Sequence, residues 1–96
     1  MKYFHRTTVS PDLVIERAST YFGKRLTPTD EGPRHREFAG SIGRIRVDVQ
    51  AEGGHYTLVT IGTDQPAESE ADRLAKRFLT MVHTIAEPAH APRGAY

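Results

Sequence analysis

The stretch RIRVDVQAEGGHYTLVTIGT, from Arg44 to Thr63, decides the fold. In its first half Ile45, Val47, Val49 and Ala51 alternate with Arg44, Arg46, Asp48 and Gln50. That period of two belongs to a strand with one covered and one solvated face. Glu52-Gly53-Gly54 is a tight hairpin signal, because glycine reaches positive φ without steric cost. A second strand over Tyr56 to Thr63 follows it. A hairpin with one apolar face needs a cover, and the flanking sequence supplies two helices.

Upstream, residues 2–9 (KYFHRTTV) are aromatic and β-branched with rough alternation and read as a first strand. Ser10-Pro11-Asp12 marks a helix start: an N-cap hydroxyl, a proline suited to the first helical position and an acid at the positive end of the dipole. Val14, Ala18, Tyr21 and Phe22 share one helical face, so the first helix is expected over 11–24, with Gly23 near its stop. The segment LTPTDEGP, 26–33, reads as a polar, flexible loop. Arg34 to Gly40 reads as another strand.

Downstream, Asp64-Gln65-Pro66 reads as a helix start, with Glu68, Glu70 and Asp72 near the N-terminus. Leu74, Phe78, Met81, Val82 and Ile85 form a wide apolar stripe, and Pro88 closes the element. The second helix is expected over 66–86. The expected order is therefore β-α-β-β-β-α, an α+β two-layer sandwich with a mainly antiparallel sheet and both helices on one face. Residues 1–87 are expected to form a single domain and 88–96 a flexible C-terminal tail, in which His90, Pro92, Arg93 and Tyr96 could dock on a partner. The sheet position of the first strand is left open, since a helical crossover reaches either edge.

Composition narrows the function. Ninety-six residues bury roughly 60 to 65% of the unfolded surface around one core. There is no cysteine, so thiol catalysis, thiolate metal sites and disulfides are excluded. This absence fits a reducing cytoplasm. Neither a membrane-spanning run nor a secretory leader is read, and the expectation is a soluble cytoplasmic protein. Thirteen Lys and Arg against twelve Asp and Glu leave a net charge of +1, too little to draw a polyanion by bulk charge.

No chemical motif emerges. His5, His35 and His55 fall at or near strands, but no HxH or HxxxH pair offers two ligands from one element, and no metal or cofactor is expected. Ser10 is used as a cap, Ser41 sits in a turn and Ser69 in an acidic helix start, so no nucleophile elbow exists. Glu31, Glu37, Asp48 and Glu52 could pair for acid-base work, but read more simply as solvated charge on a sheet face. A non-enzymatic role is expected.

The residues Gly32, Pro33, His35 and Phe38 of GPRHREF match the GPxHxxxF segment that opens the first strand of double-stranded RNA-binding domains, and Ala75-Lys76-Arg77 is a fainter echo in the last helix. The resemblance implies Arg34, His35, Arg36, Lys76 and Arg77 as phosphate-facing residues. That family's last helix opens on lysines, whereas this one opens on PAESEADR, which repels phosphate. Nucleic acid is not the expected partner. In element order alone, the chain also resembles helix-grip and TATA-binding-protein-like folds, in which a curved antiparallel sheet wraps a long C-terminal helix. Some such proteins hold apolar ligands between sheet and helix, and others dimerise. Here that space is expected to be filled by Phe38, Val47, Phe78 and Val82, leaving little room for a ligand.

The solvated sheet face is the remaining candidate site. Arg44, Arg46, Asp48 and Gln50 point to it, with Tyr56 and Leu58 beside them if Val59 and Ile61 face the core. Arginine, aromatic and aliphatic groups together have the composition of an interface. The expected function is a small protein-interaction module, a homodimer or a docking domain for a protein partner. A small-ligand carrier and a weakened RNA-binding domain are the alternatives.

Overall fold

The computed structural model describes residues 1–86. The expected tail and its four candidate docking residues lie outside that range. The elements are β1 (Lys2–Thr7), α1 (Pro11–Gly23), β2 (Thr27–Gly32), β3 (His35–Gly40), β4 (Gly43–Glu52), β5 (Tyr56–Thr63) and α2 (Glu70–Ala86). The strands form one antiparallel sheet in the order β1-β5-β4-β3-β2, and both helices pack against it. This is the expected α+β two-layer arrangement, with one strand more than the sequence reading supplied.

That strand is β2. The segment expected as a flexible loop pairs antiparallel with β3, from Thr27 opposite Ala39 to Gly32 opposite His35, with a bulge between Pro28 and Asp30. Every residue from Thr27 to Glu31 is exposed, so no apolar face announces the strand. It is held by backbone pairing and by side-chain contacts to β3 and β4, such as Asp30 to His35 and Arg46. Pro28, the bulge and the acids Asp30 and Glu31 are features that natural edge strands use to discourage further pairing.

The open position of β1 is resolved by the register. It pairs with β5 at the opposite edge, with Tyr3 facing Ile61, His5 facing Val59 and Thr7 facing Thr57. Because directly paired residues share a face, Tyr3, His5 and Thr7 lie under the helices, while Lys2, Phe4 and Arg6 lie on the open face. The strand ends at Thr7, two residues short of the expected range.

α1 begins as its sequence indicates. The Ser10 hydroxyl accepts the Leu13 N–H at 3.3 Å, and Pro11 occupies the first turn. α2 starts later than expected. Residues 66–69 form a turn in which the Ser69 N–H donates to the Pro66 carbonyl, and Glu68 adopts φ 67°. The cap is Ser69, whose hydroxyl accepts the Asp72 N–H at 3.2 Å, while the Asp72 carboxylate accepts the Glu68 N–H at 3.0 Å. This reciprocal use of side chain and backbone is close to a capping box.

The core lies between the sheet and the two helices. Phe22 of α1 stacks at 5.4 Å on Phe38 of β3 and at 5.1 Å on Phe78 of α2, and all three rings are wholly buried. Ile45, Val47, Val59, Ile61, Val14 and Val82 complete the layer without exposure. The filling expected from Phe38, Val47, Phe78 and Val82 is therefore present.

Candidate interaction surface

The sequence-predicted residues on the face of the sheet away from the helices come from two adjacent strands, β4 and β5. Along β4, Ile45, Val47 and Val49 are buried, so Arg44, Arg46, Asp48 and Gln50 project to the other side. Along β5, Thr57, Val59 and Ile61 are buried, which sends Tyr56, Leu58, Thr60 and Gly62 outward. All six residues singled out from the sequence thus share one face. β1 adds Lys2, Phe4 and Arg6 to it.

The register converts these residues into rows. Phe4 sits opposite Thr60, which sits opposite Asp48, which in turn faces His35. Arg6, Leu58 and Gln50 form the next row. Phe4 is 65% exposed and Tyr56 is 52% exposed, although aromatic rings are usually drawn inside. Leu58 is half-buried between them in sequence register. Over Gly62, which has no side chain to fill the space, a hollow of about 280 Å³ opens between Lys2, Glu37, Arg44 and Arg46.

Charge on this face is balanced. Arg46 grips Asp48 through two contacts, Nε to Oδ2 at 2.9 Å and Nη2 to Oδ1 at 3.1 Å, and reaches Asp30 at 3.5 Å. Arg44 lies 3.6 Å from Glu37, and Arg6 donates to Glu52 at 2.7 Å. The hydrogen bond to Asp48 and its negative charge raise the Arg46 pKa, as the bond to Glu52 raises that of Arg6. Lys2, Arg6, Arg44 and Arg46 therefore stand among Asp30, Glu37, Asp48 and Glu52, a mosaic in which neither sign dominates. Such exposed pairs add little stability, but they fix the orientation of the side chains that a partner would meet.

The residues implied by the RNA-binding resemblance do not gather. Arg36 points under the sheet, donating to Ser19 of α1 at 3.0 Å, and Arg34 pairs with Asp12 at the start of α1. His35 is on the open face, 3.2 Å from Asp30. Lys76 and Arg77 are on α2. The Lys76 pKa is raised by its hydrogen bonds to Asp72 first and Glu68 second, and its ammonium lies 5.5 Å from the centre of the Tyr3 ring. Arg34, His35, Arg36 and Lys76 meet carboxylates of their own chain, and the five residues form no common phosphate track.

The chemical constellations weighed from the sequence also come apart. His5 lies under the helices, His35 on the open face and His55 in the β4–β5 turn. Among the described residues no group of three or more metal-ligating side chains converges. Glu31, Glu37, Asp48 and Glu52 each stand against an arginine. No described helix is long and apolar enough to cross a membrane.

Phe4 is the site residue that sequence reasoning missed. The alternation in KYFHRT was visible, but nothing in it says which set faces inward until the pairing with β5 is known. A buried network on the inner side fixes the choice. The Tyr3 hydroxyl donates to the wholly buried Asp72 carboxylate at 2.5 Å, and Lys76 reaches the same carboxylate at 3.2 Å. The bond lowers the Asp72 pKa and raises that of Tyr3.

No family model matches the chain, and no curated protein matches it. A solved structure of a conserved protein of unknown function from Enterococcus faecalis is similar, with a TM-score of 0.65 and 12% sequence identity. The similarity covers 99% of this chain and 75% of that one. At this identity it is a likeness of fold.

Proposed function

We propose that the domain is a non-enzymatic interaction module that self-associates through the open face of its sheet, in a reducing cytoplasmic setting suited to a cysteine-free chain. The observation that carries this reading is Phe4, 65% exposed on the same face as Tyr56 and Leu58, while on the opposite face Ile45, Val47, Val59 and Ile61 are buried under the helices. Closing that face removes apolar area from water, the main favourable term in association. A second copy suits the surface because its balanced cations and anions can meet their opposites across a two-fold axis, and two-fold dimers are the commonest closed assembly. Arginines held in place by Asp48 and Glu52 lose little freedom on docking.

The test is sedimentation over a range of concentrations for the natural chain and for Tyr56→Glu and Arg46→Glu. Self-association predicts a dimer that both substitutions weaken, since each places a new anion among Asp30, Glu37, Asp48 and Glu52. A natural chain that stays monomeric to about 1 mM, a Kd worth only about 4 kcal/mol, refutes it.

A further inference from the structure

A second site lies where β1 meets the C-terminal half of α2. Two hollows open there, of about 280 Å³ and about 220 Å³, and both are lined by His5 and His83. The imidazoles stand edge to face, 6.0 Å between ring centres. His5 Nε2 is shut off from solvent and has no hydrogen-bond partner among the described residues. Buried polar atoms are almost always paired, and a turn of the His5 ring is what would bring this one to a guest in the hollows.

We infer that this seam binds a small organic anion, with His5 and His83 at its floor and Arg6 at its mouth. The lining supports the sign of the charge. Besides the imidazoles it offers the Arg6 guanidinium and the Thr8 hydroxyl, and no described aspartate or glutamate lines either hollow. Arg6 is held by Glu52 through Nε, its side chain 59% exposed, and a guanidinium keeps further N–H donors beyond that bond. Tyr56 and Leu79 add apolar walls. A metal ion would require more ligands than two imidazoles, and the described residues gather no set of three.

The size sets the rest of the guest. The larger hollow, about 280 Å³, falls just under the range for drug-sized ligands, which leaves a ring-bearing acid of about ten non-hydrogen atoms as the guest. It lies at the sheet edge, away from the buried rings of Phe22, Phe38 and Phe78. Burial first, and the neighbouring His83 second, lower the His5 pKa. An arriving anion reverses that balance, so binding draws a proton onto the imidazole pair.

The experiment is titration of the full chain with benzoate, phenyl phosphate and the uncharged shape-match benzamide, followed through the His5 and His83 ring C–H signals by NMR. Expected are saturable shifts of both rings with the anions and affinity at least about tenfold weaker for benzamide, or about 1.4 kcal/mol. Tighter binding of benzoate assigns a carboxylate and tighter binding of phenyl phosphate a phosphate monoester. His83→Gln and Arg6→Gln should each weaken the anions about tenfold or more, a loss in the range of one hydrogen bond to a charged group. No saturable shift with either anion, or benzamide bound as tightly as they are, overturns the inference.

Discussion

Replacing Phe4 with alanine isolates the apolar contribution to the proposed dimer. Full burial of a phenylalanine side chain is worth about 1.5–3 kcal/mol. With 65% of the residue exposed in the monomer, closure of an interface over it recovers up to two thirds of that, about 1–2 kcal/mol. An isologous interface contains the residue twice, so the loss doubles to about 2–4 kcal/mol, or about 30- to 1,000-fold in the dimer Kd. The monomer should barely respond, because the ring fills no core position and strand propensity spans only about 1 kcal/mol. Sedimentation equilibrium measures the Kd, and a thermal melt of dilute protein checks the fold. Thr20→Ala, an exposed site on α1, is the control and should leave the Kd unchanged. The reasoning is refuted if Phe4→Ala keeps the natural Kd within about threefold, an effect below 1 kcal/mol.

Three further substitutions probe the fold and the seam. Gly23 ends α1 with ordinary φ and open space where a Cβ would stand, so Gly23→Ala should stabilise by about 0.5–1 kcal/mol. Gly53 has equal space but φ 59°, and Gly53→Ala should cost about 1 kcal/mol. Urea unfolding that moved both the same way would contradict this account. The His5 pKa is lowered from 6.5 by burial, then by His83, so between its folded value and 6.5 the unfolded chain binds more protons. Stability should therefore fall as pH drops below 6.5 and level off below the folded value. His5→Phe should flatten that limb in urea midpoints taken across the window, and an unchanged slope would remove His5 as its source.

The legible parts of the fold were those where one face is buried. Ile45, Val47 and Val49 announce β4 because water is excluded from one side only, and Ser10-Pro11 announces α1 because orphan N–H groups need a local acceptor. β2 carries neither signal. TPTDEG is exposed almost throughout, and its extended form is imposed by β3. The start of α2 was misplaced for a related reason. Pro66 and three acids satisfy the general preferences of a helix start, but Ser69 supplies the actual hydrogen bond. Of the candidate surface, β4 and β5 could be assigned from alternation, whereas Phe4 depended on a long-range pairing that local pattern does not encode.

That pairing is held from the inner side by the Tyr3–Asp72–Lys76 network, which yields the last prediction. Asp72 is wholly buried, and its charge is satisfied by the Tyr3 hydroxyl, the Glu68 N–H and Lys76. Buried ionic groups are costly when one partner is removed and much less so when both are. Tyr3→Phe and Asp72→Asn should therefore be non-additive in urea unfolding, the double variant losing less than the two single losses together. The acid limb gives an independent reading. The hydrogen bond from Tyr3, then the bond from Glu68, hold the Asp72 pKa below its ordinary 3.8, working against the burial that pushes it up. Stability from this carboxylate is complete above 3.8 and is lost as pH falls through the lower folded value. Asp72→Asn should flatten that limb, and Tyr3→Phe should shift it towards 3.8. Because the network clamps the N-terminal end of α2 while His5 and His83 sit at the other end, Tyr3→Phe should leave anion binding at the seam intact wherever the chain is folded. Strict additivity of the pair, with an acid limb unmoved in either variant, would show that β1 is held in place by its backbone pairing to β5 alone.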